Sequence, residues 1–397
     1  MKSGGDEYGA DAGRRIAHWR KVRGLTQTGL ARQAHVSRSL IAQVEAGHKP
    51  ATPSLVAAVA AALQVDPAQL LGGPYQEEKG RGDAVHHAIA GIRRALTYAD
   101  LAPEVETPPR SLDVLDAELT AAQRLQGAAQ YARLGARLPA LIEELTVHAV
   151  RTDRPRAWRL LNRADAVAVS LTRRLGYHDL AQVAIERAAV AAQRAGDPLL
   201  PPLVALSRAL LQLSFGSADT ALAMVTRAAD AVDLAEPAGQ AVYGALHLRA
   251  AVAAARCGRA AEAWEHHGRA EEAARSAGHR PDPYALQVTP GNVAIHGCVV
   301  AIELGDCDRA LRMDERINLS PRLWPERRAH HEIDMARALL WVGRHKDALD
   351  RLLRAEKIAP QMARYHPTSR KTVMQLDRAY RTLPESLRAL QHRMGIR

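Results

Sequence analysis

A chain of 397 residues, 47% hydrophobic but only 4% aromatic with a single Phe, takes its apolar side chains mainly from Ala, Leu and Val, which favours close-packed helices over sheets. No apolar run is long enough to cross a bilayer, the start MKSGGDEYGADAG lacks the apolar core of a signal peptide, and three cysteines without CxxC spacing (Cys257, Cys298, Cys307) argue against a disulfide framework. The expectation is a cytoplasmic protein whose charge of +11 is uneven: −2 over residues 1–11, +6 over 12–71, −1 over 72–343 and +8 over 344–397.

A basic N-terminal module on a neutral body points to a polyanionic partner. Residues 1–12 read as a disordered arm. From 13 to 71 the pattern divides into five short helices. GRRIAHWRKVRG offers Ile16 and Trp19 as inward positions, and TQTGLARQA, SRSLIAQVEAG, TPSLVAAVAAALQV and DPAQLLG follow. Thr26, Ser37, Thr52 and Asp66 stand where N-cap acceptors belong. Leu30, Ala34, Val36, Ile41 and Val44 form an apolar seam between the second and third helices, with the small Ala31 where they cross.

The spacing of LTQ, LA, VSRS, I and VEAG in this module closely resembles the lambda-repressor and Cro type of helix-turn-helix, the Xre family. That resemblance implies that the third helix enters the major groove and that its first turn meets base edges. It nominates Arg38, Ser39 and Gln43 for base contact, since Arg can bind guanine bidentately and Gln adenine. Ser39 has a second use open to it, permitting close approach by its small size. Gln27, His48 and Lys49 are the expected backbone contacts. Arg20 and Glu45 match a structural ion pair between the first and third helices. Two departures from the family pattern matter. His35 stands where the turn usually carries Gly, and Gly29 stands where a helix former is usual, at a cost of about 1 kcal/mol.

Residues 72–83 lose all apolar periodicity and read as a linker. Beyond it, Gly-x4-Ala recurs at Gly135, Gly176, Gly216, Gly258, Gly305 and Gly343, at spacings of 41, 40, 42, 47 and 38. One helical hairpin per repeat follows: Gly turns the chain, and the Ala five residues later lets the second helix approach the first. Such hairpins bury their apolar faces only by stacking. The pattern over 84–365 resembles tetratricopeptide repeats with longer helices, and 366–397 reads as a helical cap. The fold expected is therefore all-α, a five-helix lambda-repressor-like head plus a tetratricopeptide-like α-solenoid. The layout resembles the RRNPP regulators, which read secreted peptides, and more closely a set of Ala/Arg-rich actinobacterial regulators.

In the repeat register, Ser207, Arg249, His296 and Asp334 stand nine residues before successive hairpin glycines, with Asn292 and His330 one turn earlier. Equivalent positions in stacked repeats fall on one line. This polar stripe, with Asn162 beside it, either holds a peptide or small polar effector or makes hydrogen bonds between repeats. The pairs His86-His87, His266-His267 and His330-His331 are unsuited to metal, because helical neighbours point about 100° apart. No cofactor is expected. No phosphate-cradling, HExxH or nucleophile-elbow motif occurs, so an enzyme is not expected either. Two functions remain. The first is a transcription regulator, dimeric on an inverted-repeat operator and controlled by a signalling peptide, small molecule or protein. The second is an interaction scaffold or antitoxin-like sequestering protein with secondary DNA binding. Arg38 and Gln43 matter only to the first.

Overall fold

The computed structural model describes residues 9–49, 51–63, 65, 70, 84–98, 101–104, 108–277, 282–321 and 323–396, and among them the only regular structure is helical. In the head, α1 is Gly9–Val22, α2 Gln27–Gln33, α3 Arg38–Glu45 and α4 Pro53–Leu63. Local chemistry sets these boundaries. Thr26, Ser37 and Thr52 accept from the amides of Gly29, Leu40 and Leu55 at 3.0, 3.1 and 3.3 Å, satisfying donors that helix starts leave unpaired. His35 turns the chain between α2 and α3 with φ +54°, a left-handed conformation taken without Gly. Ile16, Leu30, Ile41 and Val44 are fully buried together. α1 passes so close to α3 that a β-carbon on Gly13 would lie 2.0 Å from the Val44 carbonyl oxygen.

The first helix begins at Gly9, and Ala12 is buried in the head core, so residues 9–12 belong to α1 and not to a disordered arm. The Asp66 cap, all of the fifth helix but the buried Leu70, and the linker at 72–83 lie outside the described residues.

The body comprises α5 Ala84–Thr97, α6 Leu112–Gly127, α7 Tyr131–Thr152, α8 Pro155–Arg174, α9 His178–Arg194, α10 Leu200–Ser214, α11 Ala218–Asp230, α12 Pro237–Arg256, α13 Ala260–Ala277, α14 Pro290–Glu303, α15 Cys307–Asp314, α16 Pro325–Trp341 and α17 His345–Ile358. Five hairpins turn at Gly176, Gly216, Gly258, Gly305 and Gly343, with φ between +74° and +86°. The Ala five residues after each is fully buried (Ala181, Ala221, Ala263, Ala310, Ala348). Gly135 departs from this pattern. It lies inside α7, and its absent β-carbon, which would sit 2.5 Å from Ala88 Cβ, is what lets α5 pack there. The corresponding turn is made at Ala128–Gln130, with Ala129 at φ +53°.

The first helices of successive hairpins, α6, α8, α10, α12, α14 and α16, each touch the next, and α16 returns to α6. The two ends of the array therefore meet. Trp324 fills the space over Gly127, the Tyr131 hydroxyl donates to Met362 Sδ at 3.2 Å, and the Ala132 amide donates to Gln361 Oε1 at 3.1 Å. With the ends joined, side chains of α8 and α16 meet across the array, where Arg174 pairs with Glu326. Beyond it, α18 Pro360–Tyr365, α19 Pro367–Ala379 and α20 Glu385–Arg393 cover the last hairpin through Val373, Leu376, Leu387 and Leu390. From α19, Arg378 Nη1 donates to the Gly47 carbonyl just after α3, at 2.9 Å, joining cap to head.

Candidate functional site

The Ser37 cap opens α3 on the head surface and leaves its first turn uncovered: Arg38 and Ser39 are exposed. Gln43 lies one turn on, half-buried, with its Nε2 3.3 Å from Ser39 Oγ, so these two share a face, with Arg38 beside them on the first turn. His48 and Lys49 are exposed just past the helix. Gln27 behaves differently. Its Nε2 donates to Glu45 Oε2 at 3.0 Å, while Arg20 donates to both Glu45 oxygens, Nε to Oε1 at 2.7 Å and Nη2 to Oε2 at 2.9 Å. Arg20 also caps the Leu25 carbonyl at 2.8 Å. This bidentate pair ties α1 to α3 and holds Gln27 at the start of α2. Glu45 raises the Arg20 pKa through the same hydrogen bonds.

In the body, the polar stripe divides into two places. Asn162 and Ser207 line a cleft of about 140 Å³, with Leu203, Val204, Tyr284 and Trp324 as apolar walls. Asn162 Nδ2 donates to the Ala188 carbonyl at 2.7 Å and Ser207 Oγ to the Leu203 carbonyl at 3.1 Å, so both polar groups already have partners. The cleft's other wall is the loop before α14. Ala285 and Gln287 there each adopt φ +56°, and the Tyr284 hydroxyl spans both Asp197 oxygens at 3.0 and 2.9 Å.

The second place is the interior wall shared by α12, α14 and α16. Asn292 Nδ2 donates to the Gln287 carbonyl at 2.8 Å, and its Oδ1 accepts from Arg327 Nε and Nη2 at 3.1 and 3.0 Å. His296, buried, sits with Nδ1 2.8 Å from the Asn292 carbonyl and 3.4 Å from Arg327 Nη2. Asp334 lies 3.8 Å from His330 and from Arg337. His330 faces His366 with ring centroids 4.6 Å apart. Arg249 is half-buried, and its Nε lacks an acceptor.

Charge in this interior is lopsided. Arg174 pairs with Glu326, which is 3% exposed, and Arg256 and Arg337 share Glu303 at 3.3 and 2.9 Å. Burial pulls Glu303 upward, but those two guanidinium groups hold it down to about 2. Burial pushes Arg249 down to about 9, and the charges weighing most on it, Arg327 and Arg173 first, are all positive. Burial likewise lowers Lys371 to about 8 beside Arg337 and Arg256, and His366 to about 3 beside Arg174 and Arg173. His296 and His330 are held well below their usual range, both by burial first, then His296 by Arg327 and His330 by His366 ahead of Arg327.

Of the sequence stripe, Arg249, Asn292, His296, His330 and Asp334 lie on α12, α14 and α16 and Ser207 lies apart in the cleft, while the sequence pattern singles out none of Arg173 and Arg174 on α8, Arg327 on α16 and Lys371 on α19. For Arg174 a signal exists two residues before the turn glycine, where it stands in register with Arg256 and Glu303. The thiols offer no reactive site: burial raises Cys257 to about 11 and Cys298 to about 12, and Cys307 is raised too. Among the described residues no group of His, Cys, Asp and Glu is arranged to hold a metal ion, and no helix is long and apolar enough to cross a membrane.

Residues 11–71 match a family described as a helix-turn-helix domain. The N-terminal unit is a helix-turn-helix domain. No curated protein matches the chain. Among solved structures, PlcR of Bacillus thuringiensis, in complex with the peptide PapR7 and DNA, matches over 87% of this chain and 98% of that one, at 12% identity and a TM-score of 0.33. At that distance the likeness bears on neither site.

Proposed function

We propose that the chain is a sequence-specific DNA-binding transcription regulator. It acts as a homodimer on an inverted repeat, with DNA affinity set by a peptide, small molecule or protein held in the repeat body. The observation that carries this reading is the uncovered first turn of α3 in a helix-turn-helix domain, where Arg38 and Ser39 stand exposed and Gln43 follows on the face of Ser39. Those side chains suit base edges. His48 and Lys49, beyond the helix, suit phosphates. Gln27 reaches a phosphate by exchanging its bond to Glu45, or supports the ion pair from which α3 is hung.

A single head offers too small an interface for high specificity, so two heads on two half-sites are needed, and their spacing becomes a geometric condition. The Arg378–Gly47 bond supports control through that condition, because it links the repeat cap to the end of α3. An effector that shifts the cap changes the angle at which the head is presented.

Selection of sheared genomic DNA on the full-length protein at near-physiological salt tests this reading. The expected result is an inverted repeat that is lost with Arg38→Ala. Recovery of only salt-sensitive, sequence-indifferent DNA, with or without cell extract as an effector source, overturns it and leaves the interaction scaffold as the better account.

A further inference from the structure

The cleft lined by α6, α8, α10 and the loop before α14 has a volume of about 140 Å³, which bounds what it can take. A cavity of about 150 Å³ holds one benzene molecule, so this one suits a single ring and is too small for a run of peptide. Its walls agree with that in character: Leu203, Val204 and Leu286 are apolar, and Tyr284 and Trp324 are aromatic.

Charge narrows the class further. Arg163 is the one charged residue among those lining the cleft, and its Nη1 already donates to Asp116 Oδ1 at 2.7 Å. An ionised ligand would lose hydration there with no unpaired counter-charge to meet it. Two lining amides are oriented by the bonds they already make. Asn162 Nδ2 donates to the Ala188 carbonyl at 2.7 Å, which leaves Oδ1 as an acceptor. Gln123 Oε1 accepts from Arg163 Nη2 at 2.9 Å, which leaves Nε2 as a donor. Neither spare atom has another partner among the described residues. One acceptor and one donor without net charge complement an amide.

The loop wall is held in a fixed shape. Ala285 and Gln287 both keep φ +56°, a conformation that non-glycine residues retain where their surroundings impose it. Here the Gln287 amide donates to Asp282 Oδ2 at 2.7 Å, its carbonyl accepts from Asn292 Nδ2 at 2.8 Å, and its Oε1 accepts from the Trp324 amide at 3.4 Å. Asp197 fixes the Tyr284 hydroxyl in turn. Strain of this kind gathers at ligand clamps.

We propose that this cleft binds an uncharged, single-ring molecule bearing an amide-like group, whose N–H donates to Asn162 Oδ1 and whose carbonyl accepts from Gln123 Nε2. This rests on the reading of the body as an effector-holding unit and names the effector's class. The loop carries occupancy onward, because Gln287 is bonded both to Asn292 on α14 and to Trp324 just before α16.

The test uses the full-length protein with benzamide as probe and benzoate as its charged counterpart, read by calorimetry, thermal shift and hydrogen exchange. Benzamide is expected to bind saturably at millimolar concentration, to raise the melting temperature and to slow exchange across the loop from Tyr284 to Thr289. Benzoate is expected to bind about ten-fold more weakly or not at all. Ser207→Leu, which fills the cleft, should abolish binding. Gln123→Glu keeps an oxygen for Arg163 but turns the spare donor into an acceptor, and should weaken benzamide about ten-fold without lowering the ligand-free melting temperature. Arg32→Gln on the head surface should change nothing. Absence of saturable binding, binding untouched by both cleft substitutions, or slowed exchange that spares the loop overturns the site. Benzoate bound as tightly as benzamide overturns the assignment to a neutral ligand. DNA affinity measured with saturating benzamide is expected to shift. An unchanged affinity removes the effector reading alone, whereas failure to bind benzamide removes only this inference.

Discussion

Head and body use polar side chains in opposite ways. On the head, Arg38, Ser39, His48 and Lys49 face water, and the less exposed polar contacts include the Arg20–Glu45 pair with Gln27 and Arg23 on the Leu63 carbonyl. In the body, polar groups turn inward, and most have found partners: Asn162 with Ala188, Asn292 with Gln287 and Arg327, Glu303 with two arginines. An exposed recognition surface costs the fold little. An interior one must be held against desolvation, so its unsatisfied members carry more information about function.

The sharpest test of that contrast lies in the ring. Glu326→Ala is expected to cost about 3–5 kcal/mol of body stability, because it strands Arg174 among like charges. Arg249→Gln, which removes a cation whose Nε lacks an acceptor, is expected to cost nothing. Equal losses in denaturant melts would mean that the interior is balanced in charge after all. A pH form of the same test uses His366, whose folded pKa of about 3 lies below its ordinary 6.5. Facing it are His330 from α16 and the cations Arg173, Arg174, Arg337 and Lys371. A depressed histidine contributes stability above its unfolded pKa and loses it as pH falls toward the folded one. The body should therefore weaken progressively from about pH 6.5 downward, with His366→Gln flattening the slope, as followed by thermal melts across that range.

The head has its own structural lock. Glu45→Ala is expected to destabilise the head by about 2–3 kcal/mol, below the largest body effect because the pair is only partly enclosed. Hydrogen exchange should report it in α1–α3 while the repeat helices keep their protection. Loss of protection in both would show that head and body unfold as one unit.

Much of the head was legible because its signals are local. Caps at Thr26 and Ser37, the seam of Leu30, Ile41 and Val44, and the turn at His35 all depend on residues within a few positions of one another. Five hairpin turns were legible for the same reason. Gly135 was not, since Gly-x4-Ala serves a chain reversal and a close helix approach equally well, and only Ala88, from a helix far upstream, decides between them. The cationic interior was less legible still. Arg174 on α8 meets Glu326 on α16, and Lys371 on α19 comes near Arg256 on α12, only because α16 returns to α6 and the cap folds over the last hairpin. No spacing rule encodes a ring closure.

On the exposed side of the comparison, two substitutions should separate reading from gripping. Arg38→Ala is expected to cost about 1–3 kcal/mol of operator affinity and to relax the base preference at one position. Lys49→Ala should weaken all sequences about equally and lower the salt slope by about one. Titrations of operator and scrambled DNA at several salt concentrations tell them apart. Identical behaviour of the two variants would move base readout away from the first turn of α3.

The smallest effect concerns how firmly the head holds that turn in place. Gly29 sits in the seven-residue α2 without needing a left-handed φ. Ala there is expected to gain helix propensity worth up to about 1 kcal/mol. Against this, the new β-carbon would lie 3.3 Å from Thr26 Oγ1, the atom that caps α2, and 3.7 Å from Leu25 Cδ2. The hydroxyl needs to yield by only a few tenths of an ångström, and Thr26 is exposed, so the cap can follow. Gly29→Ala should therefore raise head stability by about 0.5 kcal/mol, seen as slower hydrogen exchange in α2, with DNA affinity unchanged. A fall in stability would mean that the Thr26 cap cannot move, and that the head trades helix propensity for a rigid entry into α2.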